Sequence, residues 1–416
     1  MHLRDCLWYY ILSLLVLSSS TIAEPDYHYQ DTTLPVFLDC RSCDFVYIRK
    51  DIRFVDWVRD QSDAVVHVQI ITQRTGSGGR KYNVDFIGQH NFSALNKNLH
   101  FALPPQIGQD KTREKISNII KVGLLPYMSS SKLLNQIKIT YSDHRQESHQ
   151  KPVEDPWDNW VFEIDGDGSL DKEASQTSYE IDGMFSARRI TEAWRLQIYL
   201  RSEYENDRFQ NQEKEITSST REYRGRWRIV KSLGSHWSLG IRGRIISNTY
   251  DNMDLSWQFG PALEYSLFNY EEEARRVITL AYSVNPKFDN YTATTIYGRL
   301  NERLIDHSIQ LDLRFTRPWG TARAGIEGVH YLNKMDHYRI ESYSRISLRL
   351  FKGFSIYCAG SFDRLNDQFD LVRGDATLEQ LLLQRRNLAT DYEFSADIGL
   401  SYTFGSIYNN VVNTRL

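Results

Sequence analysis

Beyond its first two dozen residues the sequence lacks any apolar run of about 18 residues or more, so no transmembrane helix can be read from it. Net charge is nearly absent too. Fifty Lys and Arg stand against 53 Asp and Glu, leaving −3, and no field of one sign favours nucleic acid. Cysteine is scarce, with four in 416 residues, too few for a cysteine-framed scaffold. Glycine (23) and proline (10) are not in excess, which excludes low-complexity disorder as the main theme. The missing helix leaves one membrane-spanning solution open, a closed β-barrel, whose signature in sequence is weaker.

What is present is 13 % aromatic residues and enough chain for two or three domains. Residues 1–23 read as a secretory signal. MHLRD gives a short basic start, CLWYYILSLLVL an apolar stretch, and SSSTIA a small-residue cleavage site after Ala23. Cys40, Cys43 and Cys358 then remain in an export compartment, where disulfides are permitted.

Residues 24–34 form a polar lead-in and 35–143 a small α/β domain. Leu34 to Leu38 opens a strand, and Asp44 caps a helix in which Phe45, Ile48, Ile52 and Val55 recur at helical spacing. Ala64 to Thr72 is a β-branched strand; Gly76–Gly79 turns into Tyr82–Ile87. A helix over Lys111–Tyr127 and a strand over Leu134–Tyr141 complete the unit, and residues 144–156 are a polar linker.

From Trp157 the period changes to two. Trp194, Leu196, Ile198 and Leu200 interleave with Arg195, Gln197, Tyr199 and Arg201. Ile309, Leu311, Leu313 and Phe315 interleave with Ser308, Gln310, Asp312 and Arg314. About twelve such segments fill 157–404, with short turns such as Arg317–Gly320 and Lys352–Gly353 alternating with longer polar stretches at 205–221, 286–304 and 365–388. A helix is expected only near Leu378–Arg386. The fold class is therefore an α+β periplasmic domain followed by an all-β transmembrane barrel of about 12 antiparallel strands, with residues 405–416 as a periplasmic tail. A soluble sandwich is the alternative, but its strands are shorter and its core carries fewer charges.

If the apolar face meets lipid, the polar face lines a lumen. Arg195, Arg201, Arg224, Arg226, Arg228, Arg242 and Arg244 form a basic track there. Glu163, Glu180, Asp182, Glu393 and Asp397 form an acidic wall, provided that the last strand pairs with the first. Either the charges pair across the lumen and plug it, or the arginines guide small acidic solutes.

Near the end of the last strand, Gly399-Leu-Ser-Tyr402-Thr-Phe404 resembles the β-signal by which outer-membrane barrels are recognised for assembly, although the chain continues past the aromatic. Together with CDFVYIRKDIRFVDWVRD, ITQRTGSGG, RPWG and YTFGSIYNNVVNTRL, the layout resembles a group of uncharacterised bacterial outer-membrane proteins in which a periplasmic α/β domain precedes a barrel. That resemblance implies location and architecture but no activity.

Chemical motifs are few. Gly76–Gly79 lacks the Lys-Ser/Thr of a phosphate loop. Asp165 to Glu173 has oxygen ligands at alternate positions, but Leu170 takes the place of the EF-hand glycine, so a solvated extracellular loop is expected. His236-x-Ser238 resembles the His and Ser of the outer-membrane phospholipase, without a supporting continuation. Cys40-x-x-Cys43 sits at a strand-to-helix corner, where it can be a structural disulfide, a redox pair or half of a metal site; Cys358 reads as a small apolar filler.

The sequence thus points to a non-enzymatic barrel protein in outer-membrane lipid. Its periplasmic domain docks an envelope partner or organises transport. An arginine-lined channel for acidic solutes is the alternative and a barrel-embedded hydrolase comes third. No cofactor, metal or nucleic acid is expected.

Overall fold

The computed structural model describes residues 33–128, 155–211, 214–374 and 390–404. The expected signal segment, the strand over Leu134–Tyr141, the helix over Leu378–Arg386 and the tail at 405–416 lie outside the described residues.

Alternation of apolar and polar residues builds the N-terminal domain around one sheet. β1 (Leu34–Cys40) runs parallel to β2 (Val55–Trp57) and to β3 (Val66–Arg74), and β4 (Arg80–Gly88) and β5 (Asn96–Leu103) continue antiparallel, in the order β2-β1-β3-β4-β5. Leu34, Val36 and Leu38 of β1, Val66, Val68 and Ile70 of β3, and Tyr82, Val84 and Phe86 of β4 share one face and are buried. That face packs against helices α1 (Phe45–Asp51) and α2 (Gln109–Met128), whose Ile48, Ile116, Ile120 and Leu124 complete the core.

Asp44 caps α1 as expected, accepting from the Tyr47 amide at 2.9 Å. The helix stops at Asp51, earlier than the spacing suggested, because Val55 is taken into β2, opposite Leu34. At the foot of α2 the Tyr127 hydroxyl donates to the Phe86 and Leu95 carbonyls at 3.0 and 2.8 Å, and burial pushes its pKa up to about 12. Gly123 of α2 lies flat on the Phe86 ring, since a Cβ there would sit 1.9 Å from it.

The opposite face of this sheet is polar. It presents Asp39, His67, Gln69, Asn83 and Asp85, and no helix among the described residues covers it.

The second unit is a twelve-stranded antiparallel sheet in chain order: β6 (Trp160–Lys172), β7 (Gln176–Ile190), β8 (Trp194–Asn211), β9 (Lys214–Ser232), β10 (Trp237–Asn248), β11 (Met253–Ser266), β12 (Arg276–Tyr291), β13 (Asn301–Arg317), β14 (Gly320–Tyr331), β15 (Tyr338–Phe351), β16 (Phe354–Leu365) and β17 (Tyr392–Tyr402). Several strands run longer than the alternation suggested. The stretch 205–221 is not a loop but the outer part of the β8–β9 hairpin, and Asp165–Lys172 belongs to β6 instead of an acidic loop. No described helix is long and apolar enough to cross a membrane, which says nothing of strands.

The sheet curls around a cavity but is not closed. No ladder joins β17 to β6 among the described residues, contrary to the expected pairing of first and last strands. Their inward faces carry Glu163, Asp165 and Asp167 on one edge and Glu393 and Asp397 on the other.

Gly123→Ala would force a methyl into the Phe86 ring and should lower the stability of the N-terminal domain by about 1–3 kcal/mol, measured by thermal melting of the full chain.

Candidate functional site

Period two along each strand decides which side chains enter the cavity. Arg195, Arg226, Arg228, Arg242, Gln258, Ser308 and Glu327 point inward, and so does Ser283, opposite Ser308 and in contact with Arg242. Trp194, Trp227, Ile241, Phe259, Tyr282, Ile309 and Ile326 point outward. The chamber holds about 1300 Å³ and is lined from the end of β7 round to β15. It is narrow at mid-height: Arg242 of β10 reaches Ser283 of β12 at 2.7 Å and Ser308 of β13 at 3.1 Å, and lies 3.8 Å from Glu327 of β14.

The structure divides the seven arginines of the expected track. Arg195, Arg226, Arg228, Arg242 and Arg244 line the chamber. Arg201 and Arg224 do not. Arg201 is bound by Asp182 at 2.8 Å and Glu203 at 3.1 Å, and Arg224 by Glu222 at 2.5 Å. The five residues of the expected acidic wall stand outside the chamber as well. Glu163 meets Arg188 at 2.8 Å, Asp182 is spent on Arg201, Glu180 is on the same strand as Asp182, and Glu393 and Asp397 lie on exposed β17. The chamber's carboxylates come instead from elsewhere, notably Glu264, Asp289, Asp306, Asp312 and Glu327.

Arg188, Arg228, Arg314, Arg323 and Arg349 lie in the halves nearest the rim of the short turns at 191–193, 233–236, 318–319 and 352–353, among carboxylates such as Glu264 and Asp312.

The N-terminal domain covers the rim at the short turns, with its polar sheet face turned to those arginines. Arg349 forks onto Asp39 at 2.7 and 2.8 Å, donates to the Pro318 carbonyl at 2.9 Å and stands 5.7 Å above the Phe37 ring. Lys352 binds Asp63 at 2.5 Å, the Gly353 amide donates to Asp60, and the Nε of Arg275 donates to Asp85 at 2.9 Å. One pair runs the other way, Arg74 of the domain to Glu163 of β6 at 3.3 Å. The β3–β4 turn touches the rim directly, where Gly76 meets Ile190 too closely for a Cβ and its carbonyl accepts from Arg188 at 3.2 Å. Burial by itself would raise the Asp39 carboxyl. Contact with His67, the hydrogen bonds and charge of Arg349, and the Gln69 amide hold it well below the usual carboxylate range.

The opposite mouth is crossed by residues 366–374, which follow β16 and were expected only as part of a polar loop. Phe369 is buried there against Tyr331 and His337, with ring centroids 5.1 and 4.8 Å away. Asp367 accepts from Tyr331 and Arg339, both at 2.9 Å. The Asp370 and Leu371 carbonyls accept from Asn252 and from the Ile296 amide.

The remaining motifs resolve simply. Cys40 and Cys43 are joined in a disulfide, Cα to Cα 5.6 Å, at the corner between β1 and α1. Cys358 is a free thiol on the outward face of β16. Ser238 bonds the Tyr270 hydroxyl at 2.5 Å and His236 the Ser266 carbonyl at 2.7 Å, so no hydrogen bond joins that Ser to that His. No cluster of three or more metal-ligating side chains occurs among the described residues.

The acids that seat the domain were missed in the sequence. Their signal was an alternation in β1 and β4 that placed Asp39 and Asp85 on the face opposite the core, a face too charged to lie under a helix.

Neither a protein-family model nor a curated protein matches the chain. Among solved structures, the chain is similar to the translocator domain of the autotransporter NalP from Neisseria meningitidis, at 12 % identity over 59 % of this chain and 82 % of that one, with a TM-score of 0.20. At that score the likeness carries no argument.

Because the pKa of Asp39 is depressed, its contribution to stability is full above the unfolded value of about 3.9 and is lost only as pH falls through the lower folded value. The Asp39–Arg349 contact should therefore survive at a pH of about 4. Asp39→Asn should cost about 2 kcal/mol at neutral pH, read from melts of the full chain. Reducing the disulfide should cost the N-terminal domain a further ~2 kcal/mol on chain-entropy grounds, seen as a lower melting midpoint in reductant.

Proposed function

We propose that this chain is an outer-membrane β-barrel protein with a non-enzymatic envelope or transport role, whose N-terminal domain sits in the periplasm, docks an envelope partner and covers the near mouth of the barrel. The observation that carries this reading is the inversion of the twelve-stranded sheet. Its concave face holds the charges, while its convex face leaves Ile164, Ile309 and Leu400 at 80, 53 and 68 % exposure. Such a surface suits hydrocarbon and not water.

Outward aromatics at the strand ends beside the domain support the same reading. Trp160, Trp194, Trp237, Tyr265 and Tyr402 stand where an interfacial girdle would lie. Lipid on the convex face also calls for the β6–β17 seam to be closed in the bilayer, because unpaired backbone groups are costly there. For docking, the helical side of the domain remains uncovered, with Val46 and Val122 at 45 and 49 % exposure.

A second reading, a conduit for small acidic solutes, is favoured by one observation. Arg228 and Arg244 face the chamber with no hydrogen bond or ion pair to another described residue.

The protein should fractionate with outer membranes, change mobility on heating in detergent gels, and lose its N-terminal domain to protease only after the outer membrane is permeabilised. A soluble, heat-insensitive product would refute the barrel. As a conduit, the chain should show little conductance in planar bilayers while both mouths are covered, and Phe369→Ala should increase it several-fold.

A further inference from the structure

Four arginines on β9 and β10 are arranged as two cross-strand pairs on the concave face. Arg228 is in register with Arg242, and Arg226 with Arg244. Like charges set directly opposite each other destabilise a sheet unless a counter-charge is supplied. Elsewhere on this face the chain supplies one: Asp182 for Arg201, Asp367 for Arg339, and Asp289 for Lys287 at 2.8 Å. Here it does so only at a distance. Among the described residues Arg226 has the Tyr199 ring 6.0 Å away, Arg242 leans on two serines with Glu327 at 3.8 Å, and Arg228 and Arg244 have no hydrogen bond or ion pair, Glu264 and Asp306 acting on them only through space.

Three carboxylates of the same chamber are already served by neutral donors. Asp306 accepts from Asn285 at 2.8 Å and from Gln258 at 2.5 Å; Asp312 accepts from Gln310 at 2.8 Å and from Tyr343 at 3.0 Å; Asp289 accepts from Ser256 at 2.6 Å besides meeting Lys287. These three are thus not free to neutralise the arginine pairs, whose donors face about 1300 Å³ of space.

We propose that Arg226, Arg228, Arg242 and Arg244 form an oxyanion-binding site that takes a small solute carrying two carboxylate or phosphate groups. The two pairs are two residues apart along the strands, roughly 6.7 Å, which separates two oxyanions by the length of a short linker. Each guanidinium fork can hold one oxyanion through two parallel N–H donors, which an ammonium cannot do. The site deepens the conduit reading by naming its solute class, but it requires only that solutes reach the wall and not that they pass through.

Isothermal titration of the intact chain in detergent micelles tests it, with citrate and pyrophosphate as probes and chloride and a diamine as controls. Saturable binding of citrate or pyrophosphate is expected, and the tighter of the two identifies the oxyanion as carboxylate or phosphate. The double variant Arg228→Gln/Arg244→Gln should weaken it at least tenfold, and Arg228→Lys/Arg244→Lys should fall between. Arg201→Gln should leave binding unchanged. Heat-dependent gel mobility establishes that each variant is folded, and the Lys pair serves if the Gln pair is not.

No heat from either dianion, or equal affinity in the wild type and the folded Gln or Lys variant, would overturn the site. Conductance without dianion binding also removes the site and leaves the conduit. Binding without conductance even in the Phe369→Ala chain keeps the site and removes the conduit.

Discussion

Charge on the concave face of the twelve-stranded sheet is the constraint from which the rest of the structure follows. Arginine and carboxylate side chains cannot be buried without partners. A sheet that gathers them on its inner face must either pair them or keep them wet. The chain does both: Arg201 and Lys287 are matched within the wall and Arg339 by Asp367 of the loop over the far mouth, while Arg228 and Arg244 have no ion pair among the described residues. At the rim beside the short turns, Arg275, Arg349 and Lys352 meet a domain that presents Asp39, Asp60, Asp63 and Asp85, so that its contact with the twelve-stranded sheet is electrostatic where its own core is apolar.

The two mouths are covered by different physics. At the near mouth, ion pairs hold a folded domain whose own stability comes from the β1–β3–β4 face and two helices. At the far mouth, nine residues of one loop use Phe369 as an apolar anchor and Asp367 as a polar one, held by Tyr331 and Arg339. Salt weakens the first kind of contact far more than the second, because screening acts on charges and not on a buried ring.

Much of the sheet was legible in the sequence. Alternation over Trp194–Arg201 or Ser308–Phe315 is local, and each strand declares its faces by itself. The pattern failed where both faces are polar. In Asp165–Lys172 and in 205–221, strands extend past the apolar band, and period two has no contrast to display. The ends of α1 and β2 were misread for another reason, since Val55 fits both a helical stripe and a parallel strand, and only its partner Leu34 decides. Of the candidate site, the inward direction of the arginines was readable but their partners were not. Glu203, two residues along, is a local partner that sets Arg201 apart from Arg228, but Asp182, which binds it more closely, lies on the neighbouring strand.

The Asp39–Arg349 contact joins residues 310 positions apart. Loop closure over such a length is slow and cannot precede the strands that carry its second half. During synthesis the domain emerges first, with its acidic face bare. It must wait until β15 and the turn after it have been laid down. Seating is therefore a late event, and a seated domain reports that the strands up to and including β15 are already in place.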